Sequence, residues 1–298
     1  MPVSEATMRP AIRRLFAAYL FISGIALAFP YRPVAWLPLA LLHLSGIITL
    51  LQIGPGPVLV AWLSRRWPHT VRVMGDWYGL ALIPALYTEL AVLNVAVFNG
   101  RYFDSIVLGW EQALFGGQPS RDLAQTMPFL PLSELLHFSY LSYYLIIYGP
   151  PLYLYLRGRR TAHQQLVFTL MLTFFAHYIF FIYFPVQGPR YIFPAPGGDI
   201  SSGFFYGLAH RVLEVGSSQG AAFPSSHVGV SFAQAALAFR LLPRVAPIVL
   251  LLSVGLALGA VYGGFHYAID ALCGLAFGLL LFALAPRVAR WLGADPKS

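Results

Sequence analysis

The sequence predicts an all-α, polytopic membrane bundle of about eight spanning helices of roughly 20 residues each. Three observations predict it. The chain is 58% hydrophobic and only 10% charged, its apolar residues fall in long runs, and its arginines cluster between those runs. A soluble domain carries about 25% charged residues. With so few charges and a mean hydropathy of +0.68, most of the surface must face lipid.

The first apolar run, near 15–30, follows Arg9, Arg13 and Arg14. Pro30, Tyr31 and Arg32 follow it in place of a small-residue cleavage site, so it reads as a retained span and not a cleavable signal. A second span is expected near 34–53. The segment GPGPVLVAWLS at 54–64 either extends it or lies in the interface. A third span is expected near 77–98. The stretch 99–128 mixes Asp104, Glu111, Arg121 and Asp122 with Phe103, Ile106, Val107, Leu108, Trp110, Leu114 and Phe115, and is predicted to lie flat on one membrane surface. Five further spans are expected near 131–156, 164–185, 223–242, 246–264 and 267–285. No internal repeat or linker divides the chain, so 1–298 reads as a single membrane domain.

The formal net charge is +8, from 18 arginines, a single lysine and 11 acidic residues. In the predicted topology 14 basic residues fall on one side and 5 on the other. By the positive-inside rule both termini are cytoplasmic, and the loop 186–222 and the start of the helix at 223 face outside. Small arginine groups between apolar runs do not make a nucleic-acid face. Cys273 is the only cysteine, which excludes an internal disulfide and a cysteine-rich metal site. No metal and no cofactor is expected. His137, His163 and His177 read as packing groups, and Glu89 and Asn94 as inter-helix hydrogen-bonding groups.

Three short segments carry candidate chemistry, and the topology returns them to one face: QGPRYIF with Arg190, AAFPSSHVG with His227, and YGGFHYAIDALCG with His266 and Asp270. His266 and Asp270 are four apart, one helical turn from each other. A carboxylate there can fix one imidazole nitrogen and leave the other free to attack. Pro224 begins a helix whose unpaired N–H groups and positive dipole end suit a phosphate. Ser225 and Ser226 add hydroxyls, and His227 can protonate a leaving oxygen. Arg190, beside Gly188 and Pro189, can clamp phosphoryl oxygens. Taken singly, each feature also fits a plain role: a satisfied His–Asp pair, a Pro/Ser helix start, an interfacial arginine.

PSSH followed by HYAID resembles the second and third signature motifs of the type 2 phosphatidic acid phosphatase superfamily, and GPRY resembles a remnant of the first. The resemblance covers about 165–285, more weakly FDSIVLGWEQALFGGQPS upstream, and is closest to bacterial relatives of inositol phosphorylceramide synthase. It implies a six-helix phosphatase-like core over 77–285, with 1–64 as N-terminal accessory helices. It implies that His266 is the nucleophile and forms a phosphohistidine, that Asp270 orients it, and that His227 is the general acid. Arg190, Ser225 and Ser226 would bind the phosphoryl oxygens. The phosphatase branch has a lysine seven residues before the first-motif arginine and an arginine six residues before the third-motif histidine; here those places hold Tyr183 and Ala260. That favours a transferase-like branch, with His210, Arg211 and Tyr191 as accessory candidates. The expected partner is a membrane lipid substrate, with water or a polyol as acceptor. The alternative class is a transporter or binding protein that holds an anionic headgroup without cleaving it. The oligomeric state is not legible.

Overall fold

A computed structural model describes residues 8–29, 37–52 and 56–294. The beginning of the expected second span, Arg32 and Lys297 lie outside them. Every regular element among the described residues is helical: α1 (Arg9–Ile25), α2 (Leu37–Leu50), α3 (Gly56–Arg66), α4 (Pro68–Thr88), α5 (Leu90–Phe98), α6 (Asp104–Phe115), α7 (Pro119–Thr126), α8 (Leu130–Leu141), α9 (Tyr143–Leu156), α10 (Arg160–Tyr183), α11 (Pro189–Ile192), α12 (Phe204–Gly216), α13 (Ser226–Leu241), α14 (Ala246–Tyr262) and α15 (Ala268–Trp291).

Helices occupy each region where a span was expected, but length and composition qualify fewer of them. Three are long and apolar enough to cross a membrane: α1 with its 3-10 extension to Ala28, α10 and α15. The pair α4 and α5, bent by 45°, makes a fourth if it counts as one span. The other runs are shorter or broken. Leu37–Leu50 and Ala246–Tyr262 are apolar but short, and the run expected over 131–156 splits between α8 and α9 at Ser142.

The helix α10 is apolar on all sides, as a central helix must be. Of its most apolar window 78% is buried inside the protein, against 28% for α15, so α10 is the axis and α15 shows much of its surface outward. Around α10 pack α1, α4, α5, α9, α13 and α15. The break between α4 and α5 falls at Glu89, a turn beyond Pro84. The carboxylate of Glu89 lies 3.2 Å from His43 Nε2 and accepts from the Tyr19 hydroxyl at 3.5 Å, so the bend ties α1 and α2 to the core. Asn94 Nδ2 donates to the Gln219 carbonyl at 2.8 Å.

At one end of the bundle arginines close helix C-termini. Arg14 Nη1 donates to the Leu292 carbonyl at 2.9 Å and Arg159 Nη1 to the Leu241 carbonyl at 2.8 Å. Both carbonyls stand at the negative end of a helix dipole. Arg9 pairs with the buried Asp76 at 2.7 Å.

The stretch after α5 turns Asp104 and Glu111 toward the protein. Asp104, Val107 and Glu111 form the buried face of α6, whereas Ile106, Trp110, Leu114 and Phe115 are exposed. The acids turn inward because backbone N–H groups await them there, and the apolar side faces out.

The closest helix contact is between α13 and α15. Gly274 and Gly278 are four apart on α15 and meet Ser225 and Gly229 of α13 backbone to backbone. A Cβ on Gly278 would strike the Gly229 carbonyl, and one on Gly274 the Ser225 carbonyl. Gly278→Ala is therefore expected to cost roughly 1–3 kcal/mol as the helices separate. Gly109→Ala, in α6 with open space around it, is expected to gain about 0.5–1 kcal/mol. Denaturation midpoints of the purified variants in detergent check this; equal shifts would remove the close-packing argument.

Candidate active site

The end of the bundle opposite the arginines holds the three motif segments. Ser225 is the N-cap of α13, and its Oγ accepts from Val228 N at 3.4 Å. This presents His227 on the first turn. His266 sits in the turn between α14 and α15, where Phe265 N and His266 N both donate to the Ala260 carbonyl, at 2.9 and 3.0 Å. Asp270 lies in the first turn of α15, fully buried, and its Oδ2 accepts from Tyr267 N at 2.9 Å. Ser225 N donates to the Asp270 carbonyl at 3.0 Å, which locks the starts of α13 and α15 together.

The two imidazoles meet. His266 Nε2 is 3.4 Å from His227 Nδ1, and the ring centroids are 5.5 Å apart. Behind His266, its Nδ1 is 3.5 Å from Asp270 Oδ2. That is a close approach and not a formed hydrogen bond, since Oδ2 is engaged by Tyr267 N and His266 Nδ1 has no hydrogen-bond partner. Contacts of this kind tighten when substrate is bound. His227 is stacked on Tyr140 at 5.4 Å and lies 4.3 Å from the Tyr143 ring.

Arg190, on the one-turn helix α11, lines the same cavity as His227 and His266, a space of about 30 Å³. Its Nη1 donates to the Leu213 carbonyl of α12 at 3.1 Å, and the guanidinium lies 5.2 Å from the Tyr191 ring. A second and larger pocket, about 210 Å³, shares Tyr87, Leu213 and His227 with the first. It is walled by Tyr143, Tyr144, Tyr148, Phe174 and Tyr178. His227 thus stands on the boundary between a small polar cavity and a large aromatic one.

Of the other expected residues, Tyr191 reaches this cavity and Ser225, Ser226, His210 and Arg211 do not. Ser225 spends its Oγ on the helix cap, and Ser226 lines the aromatic pocket. Tyr191 is on the cavity wall, with its hydroxyl 3.2 Å from Ser217 Oγ. His210 packs on Tyr206, Phe265 and His137. Burial first, then the neighbouring His137 and Arg190, push its imidazole down to about 4, so at neutral pH it is uncharged and supplies no missing cation. Arg211 is exposed and lines neither pocket. The positions without their cations are filled by structural groups: the Tyr183 hydroxyl donates to the Ile22 carbonyl at 2.8 Å, and Ala260 is buried beneath the His266 turn.

Three residues that build the site were assigned to a membrane surface or passed over in the sequence. Asp104 Oδ2 accepts from Gln187 N and its Oδ1 from Gly188 N, both at 2.9 Å, and the Tyr267 hydroxyl donates to Oδ1 at 3.0 Å. One carboxylate thereby fixes the turn before Arg190 and the residue beside His266. Gly188 has φ +94° and sits against Ala222, so this turn suits only glycine. One helical face further along, Glu111 Oε2 accepts from Ile269 N at 3.3 Å and anchors the start of α15. The available signal was the spacing: Asp104, Val107 and Glu111 recur at one helical face.

The profile of the PAP2 superfamily matches residues 107–284. The chain belongs to the PAP2 superfamily. No curated protein and no solved structure matches it. The matched PAP2 region runs from α6 into α15 and contains Arg190, His227, His266 and Asp270; Asp104 lies just before it. Membership in this superfamily points to phosphatase or phosphotransferase activity at a membrane.

The Asp104 clamp is open to test. Asp104→Ala leaves two buried N–H groups and a buried hydroxyl without an acceptor. The expected loss is on the order of 2–5 kcal/mol. The freed turn should also be cut faster by trypsin after Arg190. Unchanged cleavage with unchanged stability would show that the turn does not depend on Asp104.

Proposed function

We propose that the protein is a multi-pass membrane enzyme that transfers a phosphoryl group from a lipid phosphate through a phosphohistidine on His266, at the extracytoplasmic face. The observation that carries this reading is the 3.4 Å approach of His266 Nε2 to His227 Nδ1 on the wall of a cavity shared with Arg190. His266 Nε2 attacks phosphorus as the bond to the leaving alcohol breaks, and His227 gives that oxygen its proton. Water or an acceptor alcohol then attacks phosphorus, returns a proton to His227 and releases Nε2. Asp270 holds the imidazole from behind, and Arg190 with the N–H groups at the start of α13 stabilises the developing charge. The positive-inside count supports the face: the site lies at the end opposite the arginine clusters.

The scarcity of cations narrows the substrate. Among the described residues Arg190 is the only arginine or lysine on the cavity wall. Asp270, Asp104 and Glu111 all lie behind it, buried. A phosphomonoester carries up to two negative charges and asks for more compensation than a phosphodiester with one. We therefore place a phosphodiester lipid ahead of a phosphomonoester as donor, in line with a transferase-like role. The shared wall at His227 supports a division in which the phosphoryl group sits on the Arg190 side and the leaving alcohol toward the tyrosines.

The decisive assay measures release or exchange of the headgroup from paired phosphodiester and phosphomonoester lipids by purified protein in detergent. Greater turnover of the monoester would overturn the donor class, and binding without turnover of either would favour a headgroup-binding protein. Activity is expected to survive a chelator; loss in EDTA restored by a divalent ion would count against this site design.

The histidines are separated by a second experiment. His266→Ala should abolish turnover and any trapped phosphohistidine. His227→Ala should slow a lipid alkoxide leaving group by about 10²–10⁴-fold, and an aryl phosphate much less. Asp270→Asn should keep the fold and impair attack on both substrates. Equal losses on the two substrates for His227→Ala would remove it as the acid.

A further inference from the structure

A second pocket lies at the opposite end of the bundle, between the first turns of α10 and the last turns of α13 and α15. It encloses about 190 Å³. Its walls are of two kinds. Phe168, Leu237, Phe282 and Ala285 form an apolar side, and Gln165, Thr169, Arg240 and Arg290 a polar rim. No carboxylate among the described residues lines it.

The two arginines differ from others at that end. Arg9 is paired with Asp76, and Arg14 and Arg159 are bound to helix C-terminal carbonyls. Arg240 and Arg290 have no ion pair among the described residues, and both are exposed at the pocket mouth. The Arg240 guanidinium lies 4.5 Å from the Phe282 ring, which holds it over the apolar wall instead of leaving it free in solvent. Pro286, also on the wall, has no N–H to give the Phe282 carbonyl one turn back.

An apolar trough between α10, α13 and α15, closed at its end by two guanidiniums with no ion pair among the described residues, matches the chemistry of an acyl chain joined to an anionic phosphate headgroup. We infer that this pocket binds an anionic phospholipid of the leaflet opposite the catalytic face, as a bound lipid and not as a substrate. The phosphate lies between Arg240 and Arg290, an acyl chain runs along Phe168, Leu237 and Phe282, and headgroup hydroxyls face the Phe282 carbonyl. None of the residues proposed for phosphoryl transfer takes part, so the inference stands apart from that proposal.

The test uses the full chain in an uncharged detergent. Phosphatidylglycerol and phosphatidylcholine with the same acyl chains are titrated in turn, and bound lipid is read by native mass spectrometry. The variants are Arg240→Gln/Arg290→Gln and, as a control of equal charge loss, Arg65→Gln/Arg66→Gln on α3. Each arginine beside an anionic headgroup contributes about fivefold, so the first variant should bind phosphatidylglycerol about 30-fold more weakly. The control and the parent should bind alike, and phosphatidylcholine should bind weakly to all three. The inference is overturned if the parent holds the two lipids equally, if the first variant keeps its phosphatidylglycerol, or if the control loses as much. It also fails if inorganic phosphate displaces the lipid at matching concentration, since the site would then recognise a free anion.

Discussion

Three donors converge on the carboxylate of Asp104, and the functional end of the molecule depends on that convergence. Two are backbone N–H groups of the turn before Arg190, and the third is the hydroxyl of Tyr267, next to His266. A buried carboxylate is tolerable only when its lone pairs are occupied, and buried N–H groups only when they have an acceptor. Each side therefore requires the other. Once it is met, the arginine-bearing turn and the histidine-bearing turn are fixed relative to each other. Val186 reinforces this, exchanging hydrogen bonds with Gly220 and Ala222 just before the PSSH segment. All three motif segments are thus held by hydrogen bonds that use none of the side chains of Arg190, His227 and His266.

Helix packing supplies the remaining constraint. Gly229, Gly274 and Gly278 let the backbones of α13 and α15 touch. This brings the first turn of one helix beside the first turn of the other, so that Ser225 N reaches the Asp270 carbonyl. Two positive helix ends then point at one region. Glu111 and Asp270 take up N–H groups of the α15 end from behind, at Ile269 and Tyr267. The α13 end keeps its own cap at Ser225, whose Oγ accepts from Val228 N.

The legible part of this design is the part that depends on sequence spacing. The nearness of His266 to Asp270 and the return of three segments to one end are legible from spacing and from counting passes. His266 is not on the helix, however: it stands in the turn before α15, and the turn brings it to Asp270. The illegible part depends on which way a short helix faces. Alternating acids and apolar residues over 99–128 fit two orientations, acids to water or acids to protein. Only the N–H groups of Gln187, Gly188 and Ile269, far along the chain, decide for the second. Ser225 illustrates the same limit: its residue type fits a phosphate ligand and a helix cap equally, and its backbone geometry selects the cap. The span count differs from the eight expected runs for a related reason, because breaks at Ser142 and Glu89 arise from local turns inside continuous apolar runs.

The guanidinium is used in one way at both ends of the bundle, and this bears on how Arg190 works. Arg14 and Arg159 each give one N–H to a helix C-terminal carbonyl, and Arg190 likewise gives Nη1 to the Leu213 carbonyl in the last turn of α12. A lysine bound that way would have its charge centre committed at a single point. The planar guanidinium has five donors, so one can be spent on position and the rest stay directed elsewhere. The position is itself secured, because Glu134 accepts from Phe205 N and Tyr206 N at 3.1 Å and fixes the start of α12. The chain from Glu134 through α12 to Leu213 and Arg190 thus sets where positive charge stands before any substrate arrives. With Tyr183 and Ala260 in the places of two further cations, the proposed phosphate recognition rests on that one oriented guanidinium among the described residues.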